Sequence, residues 1–237
     1  MEEKITLSKE ILNCIQEGRK LNQNAPKRII YFVGPSACGK TTKIKTLEKT
    51  FGRYYQYITL KESTSLLGDQ TSVFIRSLVY LQKIWEELIN AIQTAAKTNQ
   101  NTIFVDGHPI LSVFQCESAY KLINSRKITE KQFKLIKGIY REIVDYINSN
   151  NTFKDFQQVI YYINIPLKEN LRLLQKKEDC KVITEDEKTK LISFRNVIHS
   201  NIFELINYFK GTKVIEVNTV GGLEIIHMYL LGFSGCG

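Results

Sequence analysis

Hydrophobic positions along this chain switch repeatedly between two periods. Ile11, Leu12, Ile15 and Leu21 recur at helical spacing after Ser8, so residues 8–22 read as an N-terminal helix. Past Pro26 the spacing changes: Ile29, Ile30, Tyr31, Phe32 and Val33 follow one another without a polar break, the mark of a strand covered on both faces. A helix over about 40–51 comes next, and then a strand over 54–60, rich in Tyr, Ile and Thr. Residues 61–70 form a polar loop. From Thr71 to Lys97 no Gly or Pro intervenes and the apolar residues return at helical intervals, until Thr98-Asn99-Gln100-Asn101 stops the helix and Thr102–Asp106 forms another buried strand.

The second half continues the alternation. Pro109 at the first helical position predicts a helix directly after the third strand. Thr129-x-x-Gln132 and Thr184-x-x-Glu187 both read as capping boxes, opening helices to about Asn148 and Phe209. Between them lie a strand over 158–165, a stop at Pro166, a helix to about Lys177 and a charged loop over 176–184. Lys213–Val217 is a last strand and Leu223–Leu231 a last helix. Strands separated by helices predict an α/β fold: a five-stranded, mostly parallel sheet with helices on both faces, in three layers. No repeat and no internal boundary is visible, so residues 1–237 are expected to form one domain, with 1–25 as a helical extension and 176–184 as a lid.

Composition narrows the function. The 237 residues are 43% apolar with 4 Pro and 13 Gly, which excludes disordered and collagen-like chains. No apolar run reaches the roughly 18 residues of a spanning helix, and MEEKITLSKE has no export signal's apolar stretch. Cysteines 14, 38, 116, 180 and 236 are odd in number and scattered, so neither disulfides nor a zinc site is expected. These features predict a soluble, cytoplasmic protein without a membrane partner. The net charge of +9 fits a polyanionic small substrate as well as nucleic acid; because the basic residues are scattered and mostly Lys, no direct nucleic-acid binding is expected.

The sharpest motif is Gly34-Pro35-Ser36-Ala37-Cys38-Gly39-Lys40-Thr41, which fits G-x-x-x-x-G-K-[ST] and lies between a buried strand and a helix. Such a phosphate-binding loop (P-loop) turns backbone N–H groups onto phosphate oxygens at the positive end of the helix. Lys40 would reach the β- and γ-phosphates of ATP, Thr41 would hold Mg²⁺, and Thr42 would extend the cradle. Cys38 reads as a small filler, with a reactive thiol as the alternative.

Acids at the carboxyl ends of parallel strands come next, because ligands bind at that edge. Asp106 ends the third strand and Glu62 follows the second. One can order Mg²⁺; the other can take the proton of an attacking hydroxyl. Arg172, Lys176, Lys177 and Lys181 form a cationic segment able to close over phosphates, with solvated lysines as the bland alternative. Tyr80, Gln82, Trp85 and Phe114 are either base-pocket residues or core. His108 has no second ligand nearby and reads as a packing or capping residue.

The order of these motifs resembles the deoxynucleoside kinases and herpesvirus-type viral thymidine kinases: the P-loop, Glu62, then Asp106-Gly107-His108-Pro109, similar to the family's Asp-Arg-His-Pro, then the basic segment from Arg172. The resemblance covers about 28–220. It implies ATP- and Mg²⁺-dependent phosphoryl transfer to the 5′-hydroxyl of a nucleoside, such as thymidine or another pyrimidine deoxynucleoside, in the service of DNA synthesis. Glu62 would then be the base and Arg172 and Lys176 the lid cations. Gln82 would read the nucleobase and Phe114 stack on it, while Asn218 and Thr219 would lie near adenine. A homodimer through the long helices is a further implication. Where the family has Arg after the strand acid this chain has Gly107, so either Arg76 or a lid residue compensates, or the substrate differs, or catalysis is weak. Three alternatives stand beside this reading: a nucleoside monophosphate kinase of the thymidylate type, with Arg76 and Arg141 on the acceptor phosphate, a kinase of another small molecule, and a non-catalytic nucleotide-binding protein. The Lys, Asn and Ile bias hints at an AT-rich genome, and a viral chain would work in the host cytoplasm.

Overall fold

A computed structural model describes residues 27–51, 56–59, 72–98, 100–122, 128–177, 182–204 and 212–217. All lie in the compact unit Lys27–Val220. The expected helices over 8–22 and 223–231 therefore fall outside the described residues, as do Glu62, Lys181, Asn218 and Thr219.

Five strands, β1 (Arg28–Val33), β2 (Gln56–Ile58), β3 (Thr102–Asp106), β4 (Gln157–Ile163) and β5 (Lys213–Val217), pair in the order β2-β3-β1-β4-β5. Every pairing among the described residues is parallel, in keeping with the expected sheet. β1 is central, with Phe32 level with Asp106 on one side and with Tyr161 on the other. That register brings the end of β1, where the P-loop begins, beside the last residue of β3.

Side-chain alternation divides the apolar residues of β1 between two cores. Ile29, Tyr31 and Val33 join Ile103, Val105, Ile160 and Tyr162 in a cluster with α2 (Val73–Thr98), α3 (Leu111–Lys121), α4 (Glu130–Ser149) and α7 (Glu185–Asn201). Phe32 on the opposite face stacks on Tyr161 at 5.8 Å and meets Phe104 at 6.2 Å, with Tyr57 stacked on Phe104 at 5.4 Å. Ile44 and Leu47 of α1 (Lys40–Phe51) are fully buried, and the Tyr57 hydroxyl donates to the Leu47 carbonyl at 3.1 Å, which ties α1 to this second face. The four-residue α5 (Asn151–Lys154), which the periodicity does not reveal, sets Phe153 flat on Trp85 of α2 at 5.4 Å. Trp85 is thereby a packing residue.

Both predicted capping boxes form, with Thr129 and Gln132, and Thr184 and Glu187, satisfying each other's end groups reciprocally. Two expectations need correction. Pro109 is not the first helical residue: it lies in a turn closed by Leu111 N–H on the His108 carbonyl at 2.9 Å, and α3 starts at Leu111. α7 does not run on to Phe209 as one α-helix, because the chain tightens into a 3₁₀ turn over Ile202–Glu204. α6 (Leu167–Lys177) follows Pro166 as the sequence predicts.

Candidate active site at the carboxyl edge of the sheet

The P-loop leaves β1 through Gly34. A Cβ there would stand 2.7 Å from Cys38 Sγ and 2.8 Å from the Ile163 carbonyl, so the loop can pass the end of β4 only without a side chain. Ala37 and Gly39 both take positive φ, 58° and 90°. Consecutive turns of this kind make a concavity of backbone N–H groups, suited to an anion. Cys38 is fully buried against that turn and acts as the filler the sequence suggests.

Lys40, the first residue of α1, folds its Nζ back over the loop, donating to the carbonyls of Gly34 at 3.0 Å and Pro35 at 2.8 Å. The amine therefore lies along the rim of the concavity. The Thr41 hydroxyl donates to Asp106 Oδ2 across the β1/β3 boundary. Residues far apart in sequence meet here because register sets Asp106 beside the end of β1. A hydroxyl and one carboxylate suit a Mg²⁺ that arrives with its phosphates, since Mg²⁺ keeps most of its shell in water and phosphate oxygens. Thr42 is on the exposed side of α1.

After Asp106 the chain turns at Gly107, whose φ is +107° and whose N–H donates to the Phe32 carbonyl at 3.0 Å. His108 is completely buried, its Nδ1 accepting from Ile110 N–H at 3.1 Å and its ring edge-on to Tyr31 at 4.4 Å. Burial pushes its pKa down to about 3. It is a neutral turn-holding residue, in agreement with the sequence reading.

On α2, Arg76 and Tyr80 are four residues apart and so share a face, both half-buried. Gln82 sits on the exposed side of the same helix. Phe114, expected beside a nucleobase, is 4% exposed within the core cluster. The structure thus gathers Lys40, Thr41, Asp106 and Tyr80 at one place, while Gln82 and Phe114 occupy a solvent face and a packed interior. Arg141 is on the exposed side of α4.

Of the cations expected to form a lid, Arg172 and Lys176 lie on α6. Arg172 forks onto Glu169 with bonds of 2.8 and 2.6 Å, an exposed pair that lowers the Glu169 pKa and raises that of Arg172. Lys176 is exposed. One functional contact escaped sequence reasoning: Asn170, fully buried, donates from Nδ2 to the Ser36 carbonyl at 2.7 Å. The signal was available, because Asn170 is a polar residue on the Leu167, Leu171, Leu174 stripe, one turn after a strand's carboxyl end.

A protein-family model described as the Rad17 P-loop domain matches residues 2–154, more than half of the sequence, and the chain belongs to that family. Curated protein sequences give no match. Among solved structures, deoxyadenosine kinase from M. mycoides, described with the products dCMP and a flexible dCDP, has a TM-score of 0.58 at 15% identity, over 86% of this chain and 99% of that one. The same kinase with dATP bound scores 0.52 at 13% identity, over 86% and 98%. Thymidylate kinase from Candida albicans also scores 0.52 at 13% identity, over 88% of this chain and 91% of that one. Such likenesses establish the fold, that of a P-loop kinase, to which the sequence resemblance also points.

Proposed function

We propose that the protein is an ATP-dependent kinase transferring the γ-phosphoryl group to the 5′-hydroxyl of a deoxynucleoside, with a pyrimidine deoxynucleoside such as thymidine as the acceptor. The observation that carries this reading is the Thr41–Asp106 hydrogen bond at the mouth of the P-loop. It joins a metal-holding hydroxyl to a strand-end carboxylate on the edge where an acceptor enters. The likeness to kinases of deoxynucleosides and of thymidylate supports the same class.

In this mechanism the P-loop N–H groups grip the phosphates, and Lys40 exchanges its loop carbonyls for β- and γ-oxygens. Thr41 and Asp106 would hold Mg²⁺, which when bound neutralises phosphate charge. Arg172 exchanges Glu169 for oxygens of the transferred group, with Lys176 beside it, and Glu62 takes the proton from the attacking hydroxyl. Arg76 would serve the acceptor side. A second reading, transfer to a nucleoside monophosphate, draws support from the thymidylate kinase likeness and from Arg76 as a phosphate partner.

The test is a phosphoryl-transfer screen with ATP and Mg²⁺ over deoxynucleosides and their 5′-monophosphates, with Lys40→Ala and Glu62→Gln as controls. Nucleoside phosphorylation lost in both variants is the expected result. Turnover of monophosphates alone would move the protein to the second reading, and ATP binding with no acceptor would sink the kinase assignment.

A further inference from the structure

At the carboxyl end of β3 the backbone leaves no room for a side chain. Gly107 holds φ at +107°, a region that strains L side chains, and a Cβ built there would lie 2.1 Å from the Tyr80 hydroxyl oxygen and 3.5 Å from Leu111 Cδ1. The space beside Gly107 is therefore filled by a phenol from α2. Tyr80 is half-buried, and burial together with the nearby Asp106 carboxylate holds its pKa above the ordinary tyrosine value. At neutral pH the group is an uncharged donor.

Its position relative to the phosphate machinery gives it a role. Asp106 accepts from Thr41 at the P-loop side and is the charged neighbour of Tyr80 on the other. Arg76 is four residues earlier on α2, about 6 Å along the axis at 1.5 Å per residue. The group set against the strand end is the phenol of Tyr80. A phosphate set there would have to displace the phenol beside Gly107, whereas a hydroxyl can accept from Tyr80 where it stands.

We propose that Tyr80 is the specificity-determining residue for the acceptor: its hydroxyl donates to the acceptor's 5′-oxygen and its bulk closes the space beside Gly107, so the site takes an uncharged hydroxyl in preference to a phosphate. The proposal rests on the phosphoryl-transfer reading above and names the group that chooses the acceptor.

The experiment is calorimetric binding of the four common deoxynucleosides and their 5′-monophosphates to the full chain with Mg²⁺-ADP, for the unsubstituted protein and Tyr80→Phe. The phenylalanine keeps the ring and its packing and removes only the donor. The expected result is a nucleoside bound in preference to its monophosphate, with affinity for that nucleoside falling about 5- to 10-fold in Tyr80→Phe, the monophosphate changing less, and ADP affinity and Tm unchanged. An unaltered nucleoside-to-monophosphate ratio in Tyr80→Phe, a preference for monophosphate in the unsubstituted protein, or binding of neither would each overturn it. The two readings fail separately. Selective, Tyr80-dependent binding without turnover would defeat the kinase assignment alone, and turnover with a ratio indifferent to Tyr80 would defeat this proposal alone.

Discussion

Asn170, buried on the first turns of α6, donates its side-chain amide to the carbonyl of Ser36 in the P-loop at 2.7 Å. This bond links the helix bearing Arg172 to the loop that would hold phosphate. Replacing Asn170 with Ala removes that donor from the Ser36 carbonyl, at a cost of about 0.5–1.5 kcal/mol. The expected outcome is a lower Tm and a weaker ATP affinity together, measured by differential scanning fluorimetry with and without ATP. A lower Tm with unchanged ATP affinity would reduce Asn170 to a packing residue.

Gly34→Ala tests the close approach of the P-loop to β4. The added methyl would meet Cys38 Sγ and the Ile163 carbonyl at under 3 Å, and one of the two is backbone that cannot swing aside. Overpacking of this kind costs about 1–3 kcal/mol. Nucleotide binding should fall with stability, whereas Gly138→Ala, where nothing lies within 4 Å of the new methyl, should leave both intact.

Gly107 and Tyr80 should be energetically coupled. Gly107→Ala alone should destabilise the fold through contact with the phenol and through the positive φ. In the background of Tyr80→Ala the contact part disappears and only the backbone strain persists. A double-mutant cycle by chemical denaturation should therefore give an interaction of about 0.5–3 kcal/mol; strict additivity would contradict the contact.

His108 predicts a pH dependence. Its pKa is lowered from 6.5 to about 3 by burial, so the unfolded chain binds a proton that the folded one refuses. The stability due to this group is complete above pH 6.5 and is lost as pH falls toward 3, at about 1.4 kcal/mol per pH unit within that window. His108→Asn keeps an acceptor near the Ile110 N–H but does not titrate there. Its denaturation midpoint should vary less between pH 6.5 and 4 than that of the unsubstituted protein.

The legible parts of this chain are those decided locally. The two capping boxes, the apolar run of β1 and the G-x-x-x-x-G-K-T turn each carry their physics within a few residues, and each has its expected form. What was not legible depends on packing between distant segments. Asp106 was singled out for its strand end, but its bond to Thr41 follows from the β1/β3 register. Tyr80, Gln82, Trp85 and Phe114 read as either base-pocket or core residues; Gln82 lies on the exposed side of α2, while Trp85 and Phe114 pack, because helical spacing fixes only a residue's own face and not what covers it. Gly107 read as a lost side chain, and its reason, the phenol in its place, sits twenty-seven residues earlier on another element. Pro109 satisfied a local preference that the buried His108 turn overrode.

The sheet order has a bearing on how the molecule is made. β1 carries the P-loop, yet its two neighbours arrive late, since Arg28 pairs with Thr102 on one side and with Gln157 on the other. Pairings so distant in sequence are slow to close, and domains emerge from the ribosome from the amino terminus onward. The hydrogen-bonding edges of β1 therefore wait for partners far downstream, and Gly34 acquires its wall only when Ile163 has been made. A nascent chain halted before β4 should bind no nucleotide and should need a chaperone, while ATP would act as a late seal on the finished fold.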